Sequence, residues 1–202
     1  LVGSEMCIRD SYRHSPFTKL KYTLINDDVS YQDYNRMYRY NPDGNLKRYR
    51  YGLTQLLQLN HTFSTKTFLN AGITHFKKSY QHRTYDRDKW DQYVHPKLLN
   101  SQPYSFLTGG TDLSVFSRET STSTFKADLT SQWNSKNKIK LGVEFRQHQL
   151  NLNDYSLRPP DEKASFNELS DDPFLGNPQR FPDSTIYSST YNFKPIEFSA
   201  YV

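Results

Sequence analysis

From Leu57 onward the chain alternates with a period of two. Leu57, Leu59, His61 and Phe63 fall on odd positions, followed after a short break by Leu69, Ala71 and Ile73, while Gln58, Asn60, Thr62, Asn70, Gly72 and Thr74 fall on even ones. Successive side chains of an extended backbone point to opposite faces, so the pattern predicts two strands, each apolar on one side and small and polar on the other. Ser64, Thr65 and Lys66 form the break. A three-residue turn there puts Phe63 opposite Thr67, Leu59 opposite Ala71 and Leu57 opposite Ile73.

The same pattern returns further along. Phe125, Ala127, Leu129 and Trp133, then Ile139, Leu141, Val143 and Phe145, take the odd positions; Lys126, Asp128, Lys140, Glu144, Arg146 and His148 are among the even ones. Two registers keep the apolar faces together. One opposes Asp128 to Glu144 and Lys126 to Arg146; the other opposes Asp128 to Arg146 and Lys126 to His148. Like charges directly opposed are destabilising, so the second is expected, with Lys136, Asn137 and Lys138 as the loop.

Residues 17–26 and 195–202 predict two further strands, the last with Ile196, Phe198, Ala200 and Val202 on its apolar side. Between these segments lie Asn41-Pro42-Asp43-Gly44, a type I turn signal, a loop of about forty residues between the hairpins, and a second long loop rich in Pro and Asp. Loops longer than about 15 residues are uncommon in compact soluble domains. Short turns at one end and long loops at the other is the layout of outer-membrane barrels. Composition agrees with an all-β reading, since 16 Tyr and 13 Phe stand among 202 residues. Mean hydropathy of −0.88 accompanies the absence of any run of about 20 apolar residues, which argues against a membrane-spanning helix. Barrels escape that argument because their lumen face and loops are polar.

The opening LVGSEMCIRDS, residues 1–11, is not a secretory leader, since Glu5, Arg9 and Asp10 interrupt any apolar core. Back-translated, it resembles the transposase adapter used in sequencing libraries. On that reading the segment is a non-native leader, disordered or incidentally structured, and Cys7 has no function. Without it the chain carries Lys+Arg 25 against Asp+Glu 19, net +6, and no cysteine. A cysteine-free chain suits an oxidising compartment. The closing segment carries no turn signal, so both ends are expected to be interruptions of a longer protein.

The stretches NHTFSTKTFLNAGITHFKKSY (60–80), GGTD (109–112), TFKADLTSQWNSKNKIKLGVEFRQHQLN (124–151) and KPIEFSAYV (194–202) together resemble the barrel of TonB-dependent outer-membrane receptors, most of all the Bacteroidetes type with a carboxypeptidase-like regulatory domain. The resemblance lies in strand and turn patterns and covers most of residues 12–202. It implies an antiparallel meander of about six to eight strands, part of a roughly 22-stranded transmembrane barrel. Its implied partners are a plug domain of the same full-length chain, the TonB complex, outer-membrane lipid and an imported siderophore, cobalamin, glycan or peptide. Two alternatives stay open: a passive porin-like barrel, and a soluble β-rich glycan-binding module whose odd face packs on a second sheet.

On the barrel reading Lys126, Asp128, Lys140, Glu144 and Arg146 line the lumen, where they meet plug or ligand or simply pair with one another. Trp90 and Tyr93, in the loop 85–99, are candidate ligand contacts because a rigid scaffold presents loops for recognition. Trp133 fits an aromatic girdle. The six histidines lack metal-ligand spacing, and the Asp27-Asp28 and Asp171-Asp172 pairs lack a calcium-loop pattern, so no metal and no cofactor is expected. His61 and His75 fall on the lipid-side register near its margins. The sequon Asn60-His61-Thr62 lies inside a predicted strand and is discounted. No nucleophile elbow, P-loop or dinucleotide fingerprint occurs, so no enzymatic activity is expected. Lys and Arg are dispersed among acids, which argues against a nucleic-acid partner.

Overall fold

A computed structural model describes residues 2–94, 106–158 and 178–202. Nine antiparallel strands follow in order: β1 (Val2–Ser15), β2 (Thr18–Tyr31), β3 (Lys47–Ser64), β4 (Thr67–Arg83), β5 (Ser114–Gln132), β6 (Lys138–Arg158), β7 (Gln179–Arg180), β8 (Ser188–Phe193) and β9 (Ile196–Tyr201). Each of the first six pairs with the next. β7, β8 and β9 all pair with β6, so they continue one another along its free edge. The break between β8 and β9 falls at Lys194-Pro195, where proline has no amide to give the ladder. The result is an open antiparallel meander, the all-β arrangement expected from the resemblance, with β1 at one edge.

The short connections share one end: Pro16-Phe17, Thr65-Lys66 and residues 133–137. The long ones share the other, through residues 32–46 and 84–113, and after β6. The connection between the hairpins is thus shorter than the forty residues expected, because β4 and β5 run on past the apolar positions. Asp171-Asp172 and His95 lie outside the described residues.

In the first hairpin Leu57 faces Ile73 and Leu59 faces Ala71, as expected. Phe63 does not face Thr67. The register shifts between Thr62 and Ser64, so Ser64 takes that place and the turn tightens around Thr65 and Lys66. In the second hairpin neither expected register occurs. Lys126 faces Glu144, Phe125 faces Phe145, Ala127 faces Val143 and Leu129 faces Leu141. The cause is the place of the turn, which spans residues 133–137 and centres on Ser135, two residues before the expected centre at Asn137. Asn134 Oδ1 accepts from the amides of Lys136 (2.9 Å) and Asn137 (2.7 Å) and closes it, leaving Trp133 in the turn itself, 75% exposed. The charge rule excludes the like-charge register correctly; the earlier turn supplies a third that opposes unlike charges directly.

Of residues 1–11, expected to be disordered or only incidentally structured, residues 2–11 pair with β2 in a ladder that starts at Val2↔Ser30 and ends, after a register shift, at Ser15↔Thr18. An open strand edge offers donors and acceptors to any extended segment. All of β1 except Ser15 is exposed.

The buried apolar residues do not lie under the strand middles. Tyr38, Tyr93, Leu107, Leu113, Val115 and Leu157 are buried, and all of them belong to the long-loop end. The turn Asn41–Gly44 docks there on Gly109–Asp112. Asn41 Nδ2 donates to Gly110 O (2.7 Å), and the Asp112 amide donates to Gly44 O (2.9 Å). Gly110 has a φ of 91°, the left-handed region that glycine alone enters freely. Burial, helped by the nearby Asp112 carboxylate, raises the Tyr38 phenol to about 12.

Candidate functional site

Register decides which side chains meet on the even face. Lys126 and Asp128 project from β5, Glu144 and Arg146 from β6, and Glu197 from β9, which faces Arg146. A chain of ion pairs follows. Lys126 Nζ lies 4.0 Å from Asp128 and 3.7 Å from Glu144; Arg146 binds Glu144 and lies 3.6 Å from Glu197. His148 Nε2 sits 3.6 Å from Glu197, while its Nδ1 shares a 2.9 Å hydrogen bond with Thr122. Half-exposed pairs of this kind contribute only about 0–1 kcal/mol each. Their effect is to order the row of charges.

Beside this row the surface is hollow. A cavity of about 330 Å³ lies over Gly72, with Gln58, Asn60, Asn70 and Thr74 on one side and Lys126, Asp128, Glu144 and Arg146 on the other. The alternation of small polar residues on β3 and β4 with charged ones on β5 and β6 makes it. Such a face solvates well and can hold a polar occupant by charge and amide contacts.

The aromatic member of the site comes from the last strand. Tyr201 faces Gly142, and its hydroxyl donates to Asp128 across β6; the Lys140 ammonium stands 5.3 Å from its ring centroid. A Cβ on residue 142 would lie 2.2 Å from Tyr201 Cζ, so only glycine lets the ring lie across the strand. Gly142→Ala is therefore expected to swing the ring away and break its bond to Asp128, at a cost of about 1 kcal/mol. Loss of the nuclear Overhauser contact between the Tyr201 ring and residue 142 checks this, and a retained contact contradicts it.

The structure brings Lys126, Asp128, Glu144 and Arg146 together at one hollow, with Lys140 joined to them through Tyr201. Trp90 and Tyr93 lie elsewhere, at the loop end. Tyr93 is 0% exposed, packs with Leu113, Val115 and Leu157, and receives the Tyr85 amide at 3.3 Å on its hydroxyl, so its surface is spent on the loop core. Trp90 packs against that core and is partly exposed. Sequence reasoning missed Glu197 and Tyr201, and it left His148 out of the site while placing it on the charged face. Glu197 and Tyr201 hold odd positions on the last strand, opposite its apolar set, and only the β6–β9 register sets them beside Arg146 and Asp128.

The odd face carries the apolar set. Ile73 is 55%, Phe125 43% and Phe198 72% exposed, in a row that continues through Leu57 and Phe145. His61 and His75 flank this band, bonded to Thr18 (2.8 Å) and Ser123 (3.0 Å). Among the described residues no second sheet covers it. Comparison of the chain with protein-family models, curated proteins and solved structures finds no match.

Proposed function

We propose that this chain is part of the barrel of a TonB-dependent receptor of the outer membrane, importing a scarce ligand with energy delivered by the TonB complex. The observation that carries the reading is the bare odd face, where Leu57, Ile73, Phe125, Phe145 and Phe198 form an exposed apolar row on a sheet whose other face is polar and ion-paired. A soluble protein rarely leaves such a patch in water. Lipid covers it at no cost, and the even face then lines a wet lumen in which the charged row meets a plug or a ligand.

The dimensions are close to those required. On β6 the apolar set runs from Ile139 to Phe145. A membrane strand needs about 9–11 residues, and the exposed aromatics Phe17, Phe63 and Trp133 at the short turns extend the band toward that length. The residues described here make seven adjacent rows of strand, too few to close a barrel with a lumen wide enough for a plug.

The test is the continuous open reading frame around this segment. An upstream plug domain and enough further strands to close a barrel of roughly 22 are expected. Further strands without a plug indicate a passive barrel, and a frame encoding a second sheet to cover the odd face overturns the reading.

A further inference from the structure

Beyond the apolar band the odd face changes character. Gln81 and Ser117 face each other, as do Ser117 and Asn153, and in the next row Val115 faces Tyr155. With Arg83, Arg87, Trp90 and Arg180 these residues line a cavity of about 350 Å³ at the loop end. Three guanidinium groups thus meet at one opening. Asp86 holds Arg83, with Nε at 2.7 Å and Nη2 at 2.6 Å from the same carboxylate oxygen, and the Gln81 amide oxygen accepts from Nη1 at 2.6 Å. Asp183 holds Arg180, whose guanidinium stands 4.7 Å from the Tyr155 ring centroid. Arg87 is exposed, 5.7 Å from the Trp90 ring centroid, and among the described residues it has no carboxylate within ion-pair distance.

Among the described residues that line and pair at the opening, three guanidiniums stand against two carboxylates, a positive excess with Arg87 left to engage a ligand. Guanidinium forks match the paired oxygens of phosphate and carboxylate groups. Gln81, Ser117 and Asn153 add amide and hydroxyl groups suited to sugar hydroxyls. The volume lies at the lower end of small-molecule sites and has room for one substituted ring. We infer that this cavity binds an anionic sugar, a saccharide ring carrying a phosphate or carboxylate group.

Its placement narrows the source. Ser117 lies eight residues from Phe125, and Asn153 eight from Phe145, with no shift in the β5–β6 register, so the cavity opens on the same face as the apolar band. Eight residues are about 26 Å along a strand, or about 20 Å along the membrane normal at a tilt near 40°. Phospholipid headgroups extend only about 5–7 Å beyond the hydrocarbon. The ligand is therefore the saccharide part of a glycolipid or a soluble sugar. This step rests on the membrane reading; the anion chemistry does not.

Calorimetric titration of the purified chain in detergent tests it, using glucose 1-phosphate, glucuronate, inorganic phosphate and glucose as probes. Saturable binding of glucose 1-phosphate or glucuronate is expected, about 10-fold tighter than inorganic phosphate, with glucose failing to bind. Arg87→Gln, on an exposed loop side chain, should weaken it about 10-fold and leave the circular dichroism unchanged. Binding unaffected by Arg87→Gln, phosphate as tight as the sugar phosphate, or no saturable isotherm for either anionic sugar overturns the proposal. Competition by lipopolysaccharide assigns a glycolipid source, and its absence assigns a soluble one; displacement by phosphatidylglycerol vesicles overturns the site. Failure of the membrane reading leaves the glucose 1-phosphate isotherm in place, so the two are separable.

Discussion

Expressed without detergent, residues 12–202 should be recovered in the insoluble fraction, and a non-ionic detergent should bring the folded chain into solution. The physical reason is the odd face: seven adjacent strand rows, or six without β1, present their apolar band to water and leave open edges as templates for aggregation. Val143→Arg sharpens the expectation. Val143 lies between Ala127 and Ala200 at the middle of the band, where a charge facing lipid costs about 2–4 kcal/mol. Asn70→Arg on the even face, exposed in the wall of the polar hollow and opposite Asp128, should be tolerated within about 0.5 kcal/mol. Urea titration in lipid vesicles measures both. A monodisperse, cooperatively melting soluble monomer, or equal costs for the two substitutions, contradicts the membrane-facing assignment.

The second large effect is expected at Gly44. A Cβ there would lie 2.3 Å from the Gly110 carbonyl oxygen, which is backbone and cannot rotate aside, and 2.5 Å from Asn41 Nδ2. Gly44→Ala must therefore separate the two turns and break the Asn41–Gly110 and Asp112–Gly44 hydrogen bonds. At about 1 kcal/mol each, with the buried surround of Tyr38, Leu107 and Leu113 loosened as well, the loop end should lose about 2–4 kcal/mol of local stability. Amide exchange at Asp112 and Leu107 should accelerate by about 30- to 800-fold, the factor that such a loss corresponds to. Gly109→Ala is the control, because nothing lies within 4 Å of a Cβ there. Equal exchange rates in the two variants would show that the docked turns do not hold the loop end.

The two faces of the sheet answer to different levels of information. Alternation of side chains is local, so the strand pattern of 57–73 and 125–145, the parity of Lys126, Asp128, Glu144 and Arg146, and the placing of tight turns at one end were all readable from the residues. Register in the first hairpin was readable to within one bulge, because its apolar pairs permit few alternatives. Register in the second was not. It turned on where the turn is centred, and Asn134 settles that through two short-range hydrogen bonds that residue type alone does not announce.

Long-range placement lay further out of reach. Alternation alone marks a two-faced β chain and assigns its residues to the faces. The folded chain is needed to see that Tyr201 crosses Gly142 to reach Asp128, that Tyr93 fills a core instead of a surface, and that Arg83, Arg87 and Arg180, separated by up to 97 positions, open on one cavity. Face follows from a period of two carried by each strand alone, whereas partnership across strands depends on turn lengths and docked loops that no single strand encodes.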